Sequence, residues 1–405
     1  MWHRVLGLGV LLVVLTSCLL ATERGRAGPA AEIGYLKTES LTLSLEELKP
    51  GMMWGRWYQQ KTGLTPDPDY FAAYVTQPAG NDLYIGWSTA RPAESDGAFV
   101  ARYNGSTVSA VGALTEQGVH EMLWSGDTLH IAGTDPCCPD GWEAGNHYTY
   151  RPPGPLVKHR NLENGLQGVL HTWGLWMSEE GVLYAAVSAD ETTVAAAQLF
   201  SSTTQGEQWS YVGTMGTDRA YDVIGVEGRL YALSSDADEG VIHLKVSEDG
   251  GQQWQSVMGD ALQRTRLTVF GDRLLAVSEN RKEIIAVRND EVVRYPIPIG
   301  FEMGGTYTDL ESYVDYHLLV VVDDYLYALW EPSHAVSTRA MVVRTKDLLE
   351  WEALTGSQQY MVSLSYWEAQ HALILSGRGK NATLWKIALP SPSTPTSLYL
   401  PLLRQ

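Results

Sequence analysis

The stretch that decides the fold is Ser247-Glu248-Asp249-Gly250-Gly251-Gln252-Gln253-Trp254, which reads Ser-x-Asp-x-Gly-x-x-Trp. It follows an alternating apolar run, Val241 to Val246, the pattern of a half-buried strand. The Asp249 carboxylate can accept hydrogen bonds from backbone N–H groups of its own turn. Gly250 or Gly251 can supply the positive φ the turn needs. Trp254 then brings a large flat side chain to cover the hairpin end. Eight residues thus encode a turn, a clamp and a lid.

Two weaker echoes follow the same logic. Ser202 to Trp209 keeps the Ser, Gly and Trp but has Thr204 in place of the Asp, and Thr345 to Trp351 keeps Asp347 and the Trp but loses the Gly. The octet resembles an Asp-box, the repeat motif of BNR and sialidase-like β-propellers. The resemblance implies a structural box on the turn between the third and fourth strands of a blade, carried by Ser247, Asp249, Gly251 and Trp254.

A longer repeat runs outward from the box. A turn rich in Gly, Asp or Glu is followed by Leu-Tyr or a variant opening a second strand. The instances begin at Leu83, Leu129, Leu183, Leu230, Leu274, Leu326 and Ala372, spaced 44 to 54 residues apart. Four short strands with their turns fill that length, the period of a propeller blade. The expected fold is all-β, a propeller of seven blades with four antiparallel strands each. The last repeat has room for three strands, so Met53 to Gln60 is expected to supply the fourth and close the ring. An open edge would leave backbone donors and acceptors unpaired. Leu43 to Leu48 is the one stretch that could form a turn of helix.

The chain has 405 residues, 39 of them Gly, and a formal charge of −18. Such a surface repels phosphate backbones, so nucleic acid is not an expected partner. Met1 to Ala21 has a short positive start and an apolar run, the form of an export signal. Leu15-Thr16-Ser17-Cys18 resembles a bacterial lipobox, which would place a lipid on Cys18 and hold the protein on a membrane; cleavage nearer Ala30 is the alternative. Residues 22–40 read as a tether, 41–390 as the propeller, and 391–405 as a Pro/Ser/Thr linker with an apolar tail. The expected location is the cell surface or periplasm, as a monomer.

Loops and channel mouths carry function in such rings. His120, His171 and Tyr221 occupy similar places in successive repeats, with Glu121, Arg219 and Asp222 beside them. That set suits a sugar, a metal or acid–base work, or simply lines a wet channel. Gly133 to Arg160 reads as a long loop in which Cys137 and Cys138 could form a vicinal disulfide. It would present Trp142, His147 and Tyr148 to a ligand. Trp87, Trp124, Trp173, Trp176 and Trp330 are expected in the core. Asp236 to Glu239, like Asp67 and Asp69, could hold Ca²⁺ or form a solvated turn; no Cys/His spacing suggests zinc, and no other cofactor is expected.

The expected function is binding of a glycan or protein at one face of the ring, without catalysis. The family resemblance offers a glycoside hydrolase as the alternative, for which Arg219, Tyr221, Asp222 and Glu121 would be the catalytic candidates. Sialidases of the family carry Arg-Ile-Pro and three substrate-holding arginines; Arg-Ile-Pro does not occur here. A structural surface protein is the third reading.

Overall fold

The computed structural model describes residues 34–37, 41–67, 71–88, 97–136, 146–166, 168–189, 196–237, 240–304, 317–333, 340–356, 361–379 and 381–390. Cys18, the tether before Gly34, Asp69, Cys137, Cys138, Trp142, Asp238, Glu239 and the tail after Pro390 lie outside them.

The chain is all-β in a propeller arrangement. Each of the seven Leu-Tyr-like dipeptides falls on the second strand of its repeat, from Asp82–Ser88 in repeat 1 to Ala372–Gly377 in repeat 7. Hydrogen bonding groups these repeats into six sheets. Repeats 1, 4, 5, 6 and 7 each form a discrete blade, whereas repeats 2 and 3 share one eight-stranded sheet. The count is therefore five discrete blades, not the seven expected. The fusion has a local cause. Thr128–Pro136, the second strand of repeat 2, pairs at Thr134 with His171 on the inner strand of repeat 3, so the ladder runs on between repeats.

The seam between repeats 7 and 1 is packed. Trp367 Nε1 donates to the Gly80 carbonyl at 2.9 Å, and the Thr76 and Ser365 hydroxyls lie 2.6 Å apart. Gly379 N donates to the Phe71 carbonyl at 3.0 Å, and Trp367 shares one buried cluster with Phe71, Trp87 and Phe99. The ring is closed by an N-terminal strand, but not the one expected. Glu46–Glu47 pairs antiparallel with Leu384–Ala388 as the missing outer strand of repeat 7. Leu43 to Leu48 thus holds a strand rather than a helical turn. A second N-terminal strand, Tyr35–Leu36, lies parallel along Glu350–Gly356 of repeat 6.

Met53 to Gln60 is not a strand: Met53 is the N-cap of the helix Trp54–Thr62, which holds the rest. Aromatic content favours a strand reading, but Trp54 and Tyr58 are four apart and share one helix face. Both are buried against repeat 1, with ring centroids 5.5 Å from Trp87 and 4.8 Å from Phe71 respectively. Gly63, at φ 79°, ends the helix.

The octet folds as its residues dictate. Ser247 Oγ accepts from Gly251 N at 2.8 Å, and Asp249 Oδ1 accepts from Gln252 N and Gln253 N at 3.0 and 2.9 Å. Gly250 and Gly251 take φ of 76° and 98°, and Trp254 Nε1 donates to the Gly251 carbonyl at 2.9 Å. The two echoes form related turns. Thr204 Oγ1 accepts from Gln208 N at 2.8 Å, where the octet uses its aspartate. Asp347 accepts from Glu350 N at 2.8 Å, and Leu348 takes the positive φ, 71°, that a glycine takes in the octet.

Candidate functional site

The inner strands share one irregularity that builds the site. Pairing between first and second strands slips at Ala73/Val75, Val119/Glu121, Thr172/Gly174, Ala220/Asp222 and Met361/Ser363. A β-bulge bends its strand and re-aims a side chain. The residues at these slips are Tyr74, His120, Trp173, Tyr221 and Val362, all buried. Each lies nine or ten positions before the Leu-Tyr-like dipeptide of its repeat. The same offset in repeats 5 and 6 marks Thr265, between Arg264 and Arg266, and His317.

Neighbouring rings meet across repeats. His120 lies 5.4 Å from Tyr74 and 5.4 Å from Trp173, and Trp173 lies 4.7 Å from His171 and 6.4 Å from Tyr221. Arg266, of repeat 5, ties the layer together. Its guanidinium pairs with Glu121 of repeat 2, donates to the Trp173 carbonyl of repeat 3 at 2.6 Å, and meets Asp222 of repeat 4 at 2.7 Å. Asp222 also accepts from Leu267 N at 2.7 Å. His317 Nε2 of repeat 6 stands 4.0 Å from Glu121. Side chains from six repeats can meet in this way only near the ring axis.

Burial sets the protonation of this layer. Two carboxylates face one guanidinium in a dry site, so both cannot ionise cheaply. Burial pushes Glu121 up to about 8, against the pull of Arg266, with Asp222 adding to the rise. Asp222 is raised by burial as well. His120 and His317 are held down to about 3 by burial and the arginines. His171 is held well below its ordinary value by burial, then by Arg219 and Arg264.

Beside this plug, a cavity of about 400 Å³ opens between repeats 4 and 5, lined by Asp218, Arg219, Tyr221, Gln263, Arg264 and Glu279 among others. Arg264 is 6% exposed. Its guanidinium carbon lies 4.5 Å from the Tyr221 ring and 4.9 Å from the Trp173 ring, within cation–π range. Two other clefts lie elsewhere: one of about 320 Å³ with Arg151, His159 and Glu207, and one of about 450 Å³ along Pro296 to Phe301.

The sequence candidates divide accordingly. His120, His171, Tyr221, Glu121 and Asp222 are brought together near the axis, whereas Arg219 and Tyr221 line the cleft. Glu121 and Asp222 are both engaged by Arg266. His147 and Tyr148 are not on a ligand-facing loop. The described parts of Gly133 to Arg160 carry the end of Thr128–Pro136 and the strands His147–Tyr150 and Leu156–His159. Both side chains are buried there: His147 stacks 5.5 Å from His130, and Tyr148 OH lies 3.0 Å from Glu116. Asp236 accepts from Thr217 N and Lys245 Nζ, each at 2.8 Å. Trp87 and Trp330 are core side chains, Trp124 and Trp176 are partly buried against core clusters, and Trp173 belongs to the axis.

Arg264, Arg266, Tyr74 and His317 were absent from the sequence candidates. The offset from the Leu-Tyr-like dipeptides marks all four, directly or as a neighbour.

No family model matches the chain, and no curated protein does. Solved structures do resemble it. An extracellular domain from B. thetaiotaomicron, assigned to a one-component system, superposes with a TM-score of 0.54 at 10% identity, covering 87% of this chain and 44% of that one. A puromycin-hydrolyzing peptidase of Mycobacterium tuberculosis gives 0.53 at 11% identity, covering 83% of this chain and 52% of that one. The chain thus spans about half the length of each, and the likeness is one of fold: a β-propeller. Among the described residues no helix is long and apolar enough to cross a membrane.

Proposed function

We propose that this is an exported β-propeller that binds a small polar ligand in the cleft between repeats 4 and 5, without converting it, and is tethered to a membrane through Cys18. The observation that carries the reading is Arg264, a buried cation laid against Tyr221 and Trp173 at the wall of a cavity of about 400 Å³. A fixed charge on a rigid aromatic support loses little entropy on binding, and that volume suits one small molecule. A sugar is one such occupant; a folded protein is not.

A hydrolase would need carboxyl groups free to act on a substrate. Of the catalytic candidates, Glu121 and Asp222 instead hold Arg266. Among the described residues, the arginines lining this cleft are Arg219 and Arg264, short of the three that sialidases use.

The test is a thermal-shift screen of the full chain against monosaccharides, uronic acids, amino acids and short peptides, repeated with Arg264→Met. A ligand that raises Tm in the parent but not in the variant, and is recovered unchanged, supports the reading. No shift with any compound, a shift that survives the substitution, or turnover of the ligand overturns it.

A further inference from the structure

Repeat 2 carries three imidazoles in one stack. His130 lies on Thr128–Pro136, His147 on His147–Tyr150 and His159 on Leu156–His159, strands that neighbour one another in the sheet. His147 is in register with His159 on one side and with Ala132, two positions from His130, on the other. Alternation along the strands therefore turns all three rings to one face. Ring centroids are 5.5 Å apart from His130 to His147 and 5.6 Å from His147 to His159. His130 and His147 are fully buried, and His159 reaches the cleft of about 320 Å³.

The turn Ser202 to Trp209 of repeat 3 sits on that face. Trp209 meets the His147 ring edge-on, with centroids 5.4 Å apart. The Gly206 backbone faces His147, and the Gln205 side chain faces His130. A Cβ on Gly206 would stand 2.1 Å from His147 Cε1. In the octet of repeat 4 the matching glycine, Gly251, packs instead on Leu199, Val212 and Leu230. One turn is seated on a titratable surface, the other on an aliphatic one.

Three imidazolium rings at these separations, out of water, would repel one another. Among the described residues, the charged groups facing the stack are Arg151 by His130 and Glu207 by His159, and Arg151 is paired with Asp127 at 3.0 Å. Glu207 can answer one imidazolium, while Arg151 adds to the repulsion. Burial holds His130 down to about 4 and His147 well below its ordinary value, and it lowers His159 against the pull of Glu207. Groups lowered in this way are neutral while the turn is seated and take up protons once it lifts. Lifting is therefore favoured as pH drops below about 6.5.

We propose that the His130–His147–His159 stack is an acid-sensitive latch: at neutral pH it seats the Ser202–Trp209 turn of repeat 3 on repeat 2, and proton uptake by the stack releases that turn while the rest of the ring stays closed. The latch is separate from the ligand cleft between repeats 4 and 5.

Hydrogen–deuterium exchange of the full chain between about pH 7 and 4.5, with the intrinsic pH dependence divided out, tests it. His130 alone, at about 4 seated and about 6.5 released, raises the open population about fiftyfold over that range. Amides of residues 202–209 should quicken by at least about that factor, while those of the octet 247–254 change less than about threefold. His147→Leu should cut the response of residues 202–209 at least about tenfold. Exchange at histidine Cε1, which reads the protonation of each ring, keeps the test decisive if that variant is unstable: protons should enter His130 and His147 over the same pH range in which the turn lifts. The latch is overturned if residues 202–209 stay protected throughout, if all repeats quicken together, if a folded His147→Leu responds as the parent does, or if the stack takes up protons with the turn still seated.

Discussion

Replacing Arg266 by methionine should be the most damaging single change near the axis. The guanidinium contacts Glu121, Asp222 and the Trp173 carbonyl, drawing on three repeats besides its own. Methionine fills much of the volume and supplies no donor. Removing one partner of a buried ion pair costs about 3–5 kcal/mol, because the other charge is left unpaired. The cost should not double for two carboxylates. Glu121, pushed up to about 8, is already protonated at neutral pH, so Asp222 is the charge left stranded. For a propeller of this size, at about 2.1 cal/mol/K of unfolding entropy per residue, the Tm should drop by roughly 4–7 °C. The fall should be smaller at pH 5 than at pH 8, since protonation relieves the stranded carboxylates. Adding Asp222→Asn should restore part of the loss. Scanning calorimetry of the parent, the single and the double variant at both pH values reads all of this. A single variant within about 1 °C of the parent, less than one kcal/mol, or a loss unaffected by pH, would refute the pinning role given to Arg266.

The pH profile of stability should be domed. His120 and His317, at about 3, and His130, at about 4, stay neutral in the fold but take up protons when unfolded below about 6.5, so stability falls as pH drops through that window. Glu121 is raised, so its contribution is full below its unfolded value near 4.5 and is lost as pH rises toward about 8. The maximum belongs near pH 6–7, and Glu121→Gln should flatten the alkaline side; urea midpoints across pH check both. Trp367→Ala removes a buried side chain and its bond to Gly80 across the closing seam; a loss of about 3–5 kcal/mol in urea is expected. Ser247→Ala should cost about 1 kcal/mol and speed hydrogen exchange at Gly251 without moving the axis residues.

The sequence pattern located the second strands of all seven repeats because alternation and turn residues are local signals. It located the box turn because the clamp and its positive-φ glycines lie within eight residues. The fusion of repeats 2 and 3 was not legible, since it depends on one long-range pair, Thr134 with His171. The closing strand was misplaced because Trp54 and Tyr58 read as strand formers, while Glu46–Glu47 shows no apolar alternation. At the axis, His120 and Tyr221 were legible by position. His171 borders one slip of its strand, at Val169/His171, whereas the second, at Thr172/Gly174, puts Trp173 at the common offset, since a bulge changes which side chain faces inward. Arg264 and Arg266 were missed because a buried arginine is recognised by its partners, and those lie on other repeats.

Closure by the N-terminal segment underlies the axis, the plug and the cleft alike. Hydrogen–deuterium exchange of the full chain and of a form beginning at Lys49 tests it directly. With Glu46–Glu47 in place, amides of Leu384–Ala388 should be as protected as those of repeat 4; without it, exchange should quicken there and spread to Ala72–Ala79 across the seam. Equal protection of Leu384–Ala388 in both forms would contradict the closed ring.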